Sequence, residues 1–109
     1  TPTSRARPMP EERWFVYLVE CKSGRIYVGI TPSLERRMTA HRRGRAALFT
    51  RINSPERLLG AKPFANRREA QQLEARVKRL PAAYKRFLAA EWSQQHPIDE
   101  RAQEALTLG

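Results

Sequence analysis

Two nearly continuous apolar runs close to the start of the chain predict a pair of β-strands. Residues 14–21 read WFVYLVEC and residues 25–30 read RIYVGI, and such runs are typical of strands that are covered on both faces. The three residues between the runs end in Gly24, and glycine takes the left-handed conformation that often closes a three-residue hairpin loop. The pattern therefore predicts an antiparallel hairpin.

The length of this loop decides which side chains share a face of the hairpin. With three loop residues, Cys21 pairs with Arg25, and Tyr17 then lies on the same face as Tyr27. A two-residue loop would shift the register and place the two tyrosines on opposite faces. We predict that they share a face.

A helix is predicted directly after the hairpin, over about residues 32–43. Thr31 can cap it, Pro32 suits its first position because the missing amide hydrogen has no partner there, and Gly44 can end it. The core-facing positions of this helix would be Leu34, Arg37, Met38 and His41. Two of these four residues are titratable, which calls for an explanation.

A third strand and a second helix follow along the chain. Residues 57–64, RLLGAKPF, indicate a short strand, and Pro63 favours a sheet edge or a strand end. Asn66, with a glutamate three residues later, forms a variant capping box that opens a helix over about residues 66–80. Glu74 interrupts the apolar stripe of this helix, so it cannot face fully away from the core.

The sequence of the last part of the chain indicates a third helix followed by a tail. Pro81 ends the second helix, and the third helix extends over about residues 82–94. Its predicted apolar face consists of Tyr84, Phe87, Leu88 and Trp92. The polar tail, residues 95–109, also has the apolar spacing of a short docked helix, carried by Ile98, Ala102 and Leu106.

Together these elements predict one small α/β domain, a three-stranded sheet flanked by helices, in which the first two strands form an antiparallel hairpin. A chain of 109 residues has the usual size of a single domain. The domain would extend over residues 13–94. Residues 1–12, TPTSRARPMPEE, are rich in proline and poor in large apolar side chains, as is typical of a flexible tail.

The charge of the chain favours a polyanionic partner. Lysine and arginine number 21 against 11 aspartate and glutamate, and they concentrate in residues 36–51 and 67–86. Arginine predominates, and it binds phosphate in a bidentate manner better than lysine does. A solvated basic surface is the alternative. We expect nucleic acid to bind at Arg36, Arg42, Arg43, Arg45 and Arg51. No base-reading motif is apparent, which favours recognition of the backbone or of structure over sequence.

Several other classes of protein are disfavoured by the composition. Cys21 is the only cysteine, so no disulfide framework exists, and one cysteine with two histidines does not make a structural zinc site. No apolar run approaches the roughly 20 residues of a membrane-spanning helix, and no glycine-rich nucleotide-binding loop is present. We therefore expect a cytoplasmic protein that does not contact a membrane.

Polar side chains interrupt the apolar faces of four predicted elements. Each has an ordinary structural explanation: a strand tyrosine often packs in a core, and Glu74 can pair with Lys78 one helical turn later. A shared functional cause is the stronger explanation for the whole set, because such exceptions concentrate at functional sites. The set is Tyr17, Tyr27, Arg37, His41 and Glu74.

The order and spacing of these residues resemble the GIY-YIG nuclease domain over residues 14–92. Its two tyrosine motifs are matched by FVY at 15–17, where phenylalanine replaces a glycine, and by YVG at 27–29. The family's helix arginine, its following histidine and its metal-binding glutamate are matched by Arg37, His41 and Glu74. The segments YVGIT, LERRMTAHRRG and EAQQLEARVKRL, with a threonine-arginine pair before a proline, are most similar to the small stand-alone bacterial branch. That branch resembles the nuclease subunit of structure-specific endonucleases.

The resemblance implies hydrolysis of phosphodiester bonds with a metal ion. Tyr17 would act as the general base or proton relay for the attacking water, and Tyr27 would position water or phosphate. Arg37 would bind the scissile phosphate. His41 would orient Tyr17 or carry its proton, and Glu74 would hold Mg²⁺ or Mn²⁺.

One carboxylate ligand favours a hard ion held largely by water and substrate, and it argues against a two-metal site. Gly29 would let the phosphate approach the backbone. Some relatives carry a substrate-holding asparagine after the glutamate, whereas this chain has none beyond Asn66. We expect a magnesium-dependent endonuclease that acts on DNA rather than RNA, by structure, in repair or recombination. A nucleic-acid-binding module with a silent active site and a ribosome-associated or scaffolding protein are the alternatives, and an activating protein partner is left open.

Overall fold

A computed structural model describes residues 13–107, which form a three-stranded antiparallel sheet with helices on both faces. The elements in chain order are β1 (Trp14–Cys21), β2 (Ile26–Thr31), α1 (Leu34–Arg42), α2 (Leu48–Ile52), β3 (Pro55–Phe64), α3 (Arg67–Val77), α4 (Ala82–Gln95) and α5 (Glu100–Thr107). Strand β1 lies in the middle, between β2 and β3. The predicted α/β fold is confirmed. The flexible tail predicted for residues 1–12 lies outside the described residues.

The β1–β2 hairpin has the predicted loop and register. The Cys21 N–H donates to the Arg25 carbonyl at 2.8 Å, and Gly24 takes a left-handed φ of +88°. Val19 pairs with Tyr27, so Tyr17 and Tyr27 lie on one face of the sheet, as predicted. The loop length therefore determined the register correctly.

Strand β1 is buried on both faces, as its continuous apolar run predicted. One face packs against α3 and α4. The core on this side consists of Val16, Leu18, Ile26, Val28, Ala70, Val77, Ala89 and Trp92. The other face packs against α1 and α5. The core on that side consists of Tyr17, Val19, Leu34, Met38, Leu58, Ala102 and Leu106. These are called the α3/α4 face and the α1/α5 face. The two tyrosines lie on the α1/α5 face.

Helix α1 begins two residues later than predicted, because its cap is Ser33 rather than Thr31. The Ser33 Oγ accepts a hydrogen bond from the Arg36 N–H at 3.3 Å. The Thr31 hydroxyl is occupied with the Ser33 backbone, accepting from its N–H at 3.1 Å. Pro32 therefore precedes the helix instead of opening it.

Helix α1 ends at a glycine, as predicted. Gly44 has a φ of +72°, and its N–H donates to the His41 carbonyl at 3.1 Å. The Arg45 N–H donates to the Ala40 carbonyl at 2.8 Å. This pair of hydrogen bonds is a Schellman motif, which satisfies carbonyls that the helix end would otherwise leave unpaired.

Strand β3 and helix α3 differ from prediction mainly at their ends. Strand β3 begins at Pro55, two residues early, and lies at a sheet edge, where Pro63 is tolerated. The Asn66 side chain caps α3 by accepting from the Glu69 N–H at 2.9 Å, as predicted. The helix ends at Val77, before the predicted residue 80.

The predicted apolar face of α4 is wrong for two residues. Tyr84 is 60% exposed and Phe87 is 57% exposed, whereas Ala89 and Trp92 are buried. The reason is close packing of α4 on β3, where Gly60 meets the backbone of Ala89. Such an approach selects small residues for the contact and turns part of the aromatic face outward.

Two further helices complete the fold. The sequence did not predict α2, which has only five residues. Helix α5 forms within the tail of residues 95–109, where the sequence allowed a docked helix, and its buried residues are Ala102 and Leu106. None of the helices in the described part of the chain has the length and apolar character needed to cross a bilayer.

Gly60→Ala should destabilise the fold. A Cβ at this position would lie 2.8 Å from the Ala89 carbonyl oxygen and 3.1 Å from its Cα, so backbone would have to move. We expect a loss of about 1–3 kcal/mol in the free energy of unfolding, measured in urea. Gln94→Ala, on the exposed side of α4, is the control and should change it by less than about 0.5 kcal/mol. Equal unfolding midpoints for both variants would contradict the packing argument.

Candidate active site

The ring of Tyr17 lies in the space left by a glycine on the neighbouring strand. Gly29 is the cross-strand partner of Tyr17. A Cβ at Gly29 would overlap the Tyr17 hydroxyl and lie 2.8 Å from the Tyr27 ring. The sequence predicted that Gly29 admits a phosphate, but here the tyrosine ring fills that space. Gly29 thus directs the Tyr17 hydroxyl toward α1.

A chain of hydrogen bonds connects Tyr17 to α2 through His41. The Tyr17 hydroxyl lies 2.7 Å from His41 Nε2, and His41 Nδ1 lies 2.9 Å from Thr50 Oγ1. The Thr50 hydroxyl donates to the Ala47 carbonyl at 3.1 Å, so it accepts from Nδ1–H. Nε2 is then unprotonated and accepts a hydrogen bond from the Tyr17 hydroxyl. With this assignment, every polar side-chain atom in the Tyr17–His41–Thr50 hydrogen-bond chain has a partner.

Arg37 approaches the same tyrosine oxygen from a second direction. Its Nε–H donates to the Tyr17 hydroxyl at 3.2 Å, and its Nη2 donates to the Ala46 carbonyl at 3.4 Å. The side chain is half-buried, and no ion pair involves it within residues 13–107. A half-buried guanidinium without a carboxylate is suited to an anionic ligand.

Burial sets the protonation states of the buried pair. Burial raises the pKa of Tyr17 well above its usual value, and the hydrogen bond and charge of Arg37 offset this only in part. The pKa of His41 falls from 6.5 to about 4, mainly through burial and further through the positive charge of Arg37. At neutral pH both side chains are therefore uncharged, in agreement with the hydrogen-bond directions.

Tyr27 completes the cluster through its ring. Its centroid lies 6.1 Å from that of Tyr17, 5.3 Å from that of His41 and 5.9 Å from that of Phe49. Tyr27 is half-buried, in contrast to the fully buried Tyr17. The structure thus brings together four of the five predicted catalytic residues, Tyr17, Tyr27, Arg37 and His41.

Glu74, the fifth residue, lies on α3. Its carboxylate forms an ion pair with Lys78 at 3.4 Å, the ordinary arrangement that the sequence also allowed. Its side chain is 18% exposed, and its charge contributes to the raised pKa of Tyr17. Glu74 is therefore near enough to the cluster to act on it electrostatically, without a hydrogen bond to either tyrosine.

The carboxylate of Glu74 fits a metal ion only with few protein ligands. Within residues 13–107, no group of three or more histidine, cysteine, aspartate or glutamate side chains is placed to hold an ion. Glu74 would supply one oxygen, and water and substrate would supply the rest. Mg²⁺ tolerates this arrangement, because it retains several waters in protein sites.

The five predicted nucleic-acid-binding arginines are exposed and lie at α1, α2 and the loop that joins them: Arg36, Arg42, Arg43, Arg45 and Arg51. One of them also has a structural contact. The Arg42 Nε–H donates to the Ala105 carbonyl at 2.8 Å and so ties α1 to α5.

Two residues of the cluster were missed in the sequence, and both lie on α2. Thr50 holds His41 in one tautomer, and Phe49 packs against Tyr27. No periodic pattern marks this short helix. The only signal was the threonine-arginine pair before a proline, which belongs to the resemblance and is formed here by Thr50 and Arg51.

This cluster lies on one face of the sheet in a small α/β domain. A family model described as the GIY-YIG catalytic domain matches residues 13–87, and the chain belongs to that family.

The chain is similar to several bacterial proteins that carry the name UPF0213. One from Nitratidesulfovibrio vulgaris is 51% identical over 75 residues, 69% of this chain and 68% of that protein. Another from Xanthomonas axonopodis is 45% identical over 84 residues, 77% of this chain and 78% of that protein. The NMR solution structure of the UPF0213 protein BH0048 from Bacillus halodurans is 33% identical, with a TM-score of 0.46, covering 87% of this chain and 98% of that one.

His41 should make stability depend on pH. The unfolded chain binds a proton at histidine near pH 6.5, but the folded protein does so only near pH 4, so the stability present above pH 6.5 is lost as the pH falls to about 4. Between pH 7 and pH 4 the free energy of unfolding should fall by on the order of 3 kcal/mol more in the original protein than in His41→Gln. The comparison isolates His41, because the other groups titrate alike in both proteins. Urea unfolding at pH 7 and pH 4 measures it. Parallel pH profiles for the two proteins would contradict the burial of a neutral His41.

Proposed function

We propose that the protein is a divalent-metal-dependent endonuclease that hydrolyses phosphodiester bonds in DNA. We further propose that it recognises the structure of its substrate rather than its sequence, and that it serves DNA repair or recombination. The observation that carries the proposal is the Tyr17 hydroxyl, held between a neutral His41 and the cation of Arg37. This arrangement is suited to moving a proton beside a bound anion.

Tyr17 and His41 provide a route for the proton of an attacking water. The water transfers a proton to the Tyr17 oxygen while the Tyr17 proton passes to the unprotonated Nε2 of His41, 2.7 Å away. The hydroxide so formed bonds to phosphorus, the P–O bond to the leaving oxygen breaks, and the leaving alkoxide takes a proton from solvent water. Thr50 accepts the Nδ1–H and so keeps Nε2 free for this step. A tyrosine with a raised pKa is a weak base by itself, and the relay avoids a free phenolate in the buried state.

Arg37 links this relay to the presence of substrate. Its positive charge helps to lower the pKa of His41 when no anion is bound. A phosphate bound to Arg37 would offset that charge and increase the proton affinity of His41. Arg37 would also stabilise the negative charge that develops on the phosphate during attack. His41 would thus become a better proton acceptor once substrate is bound.

Glu74 is the residue that would hold a divalent ion. A bound ion would supply positive charge that polarises the phosphate oxygens. Within the protein, Lys78 competes for the same carboxylate at 3.4 Å. This surface pair is weak, so it does not prevent Glu74 from binding another cation.

The choice of a nucleic acid substrate and of structural recognition rests on charge. The net charge of +10 and the exposed arginines suit a phosphate backbone, and phosphate contacts carry no sequence information. The second candidate is a nucleic-acid-binding module with a silent active site. Two observations favour it: Tyr17 is fully buried, and Glu74 is paired with Lys78.

Tyr17→Phe should separate catalysis from folding. The substitution keeps the ring beside Gly29 and removes only the hydroxyl, so stability should fall by about 1 kcal/mol. Nicking of branched, flapped and linear DNA with Mg²⁺ should fall by about 10²- to 10⁴-fold, as expected for loss of a general base. DNA affinity should stay the same. Nicking at the original rate by the folded variant would remove Tyr17 from the catalytic residues.

Glu74→Gln should abolish cleavage while DNA affinity stays constant or rises, because a negative charge is lost. Lys78→Ala is the matched control, since it breaks the same ion pair and leaves the carboxylate in place. The control should retain cleavage and need no more metal than the original protein. If both variants cleave equally well, Glu74 has only the structural role of a surface pair. If both lose cleavage, the ion pair itself is what matters.

A further inference from the structure

A basic pocket lies behind the active-site histidine, on the side away from Tyr17. Its volume is about 440 Å³, and it lies among the end of α1, helix α2, the β1–β2 loop and the start of β3. His41 and Thr50 line it, and because both are almost fully buried they form its inner wall. The pocket is thus separated from the Tyr17 hydroxyl by the width of one imidazole ring.

The charge of the pocket is uniformly positive. Lys22, Arg42, Arg43 and Arg51 line it, and none of its lining residues carries a carboxylate. The ion pairs found within residues 13–107 involve Glu20 and Glu74 and none of these four cations. Four cations around one concavity repel each other, and a bound anion would relieve that repulsion.

Two contacts order parts of the pocket wall before any ligand binds. The Lys22 N–H donates to the Ser54 carbonyl at 2.9 Å, which fixes the hairpin loop against the start of β3. The Arg42 side chain is anchored on the Ala105 carbonyl at 2.8 Å. Groups that are ordered in advance lose less entropy on binding.

One local effect opposes an anion here. The carboxyl end of α1 lies at the pocket and carries about half a negative charge. Four full positive charges outweigh it, and the hydrogen bonds at Gly44 already occupy the last carbonyls. The balance at the pocket therefore favours an anion over a cation.

We propose that this pocket binds a backbone phosphate of the nucleic acid strand, a different phosphate from the one that reacts at Tyr17 and Arg37. Arginine-rich sites match phosphate through bidentate hydrogen bonds, and the hydroxyl of Ser54 adds a donor. The ligand class rests on the proposed function. The pocket would fix how the strand crosses the active site, with one phosphate on each side of His41.

The test is an NMR titration of the full chain with EDTA present, so that no cleavage occurs. The probes are a short single-stranded DNA oligonucleotide, inorganic phosphate and an oligoglutamate peptide. The readout is the amide signals of Gly44 and Ser54, which line the pocket and lie outside the Tyr17–His41–Thr50 chain. We expect the oligonucleotide to shift both signals at concentrations where inorganic phosphate and the peptide do not.

Paired variants give the sharper measurement. Arg43→Ala with Arg51→Ala removes two pocket arginines, and Arg68→Ala with Arg79→Ala removes two exposed arginines elsewhere. The pocket variant should lose the amide shifts and make the slope of log K against log salt less steep by about 0.7, the value for one phosphate on a single strand. The control variant should keep the shifts.

Three results would overturn the proposal: equal effects of the two double variants, shifts with inorganic phosphate but not with DNA, or displacement of DNA by the peptide at equal charge. The outcome is independent of catalysis. Nicking activity without these amide shifts refutes the pocket and leaves the endonuclease proposal intact, whereas shifts without nicking refute only the endonuclease.

Discussion

The pairing of Tyr17 with Gly29 across the hairpin is the constraint on which the site depends. Because Gly29 has no side chain, the Tyr17 ring can lie over β2 and point its hydroxyl at α1. The three-residue loop fixes this register, and a slip by one residue would place Tyr17 and Tyr27 on opposite faces. His41 Nε2 and Arg37 Nε both form a hydrogen bond with that hydroxyl. The hairpin loop thus sets the position of a hydroxyl that lies some distance from it.

Two buried side chains of the cluster, Tyr17 and His41, are uncharged. Desolvation favours an uncharged tyrosine and an uncharged histidine, and one hydrogen bond satisfies both. Arg37 keeps its charge because it remains half-buried and accessible to an anion. A site built only for stability would have paired this guanidinium with a carboxylate, because leaving a charge in a partly buried position is costly. Within residues 13–107 no carboxylate pairs with Arg37, and this is the strongest electrostatic sign of a ligand.

The sequence predicted the parts of the fold that short-range rules govern. The register follows from loop length, and Asn66 and Gly44 act at helix ends through contacts within one turn. The cap of α1 was misassigned because two hydroxyl residues flank Pro32, and only the backbone path decides between them. The exposure of Tyr84 and Phe87 on α4 was missed because periodicity assigns large apolar residues to the buried face. The close approach of β3 places small residues there instead, and this approach depends on how the layers pack in the folded protein.

The candidate site was predictable to the same extent and for the same reason. Its cluster comes from adjacent strands and the next helix, so local register and helical spacing brought the residues together. Thr50 could not be found this way, because a five-residue helix leaves no periodic signal and is held by tertiary contacts. Yet Thr50 decides which nitrogen of His41 carries the hydrogen and which accepts the hydrogen bond from Tyr17. The residues proposed for the chemistry can be read from spacing, whereas the residue that fixes the tautomer of His41 is visible only when the chain is folded.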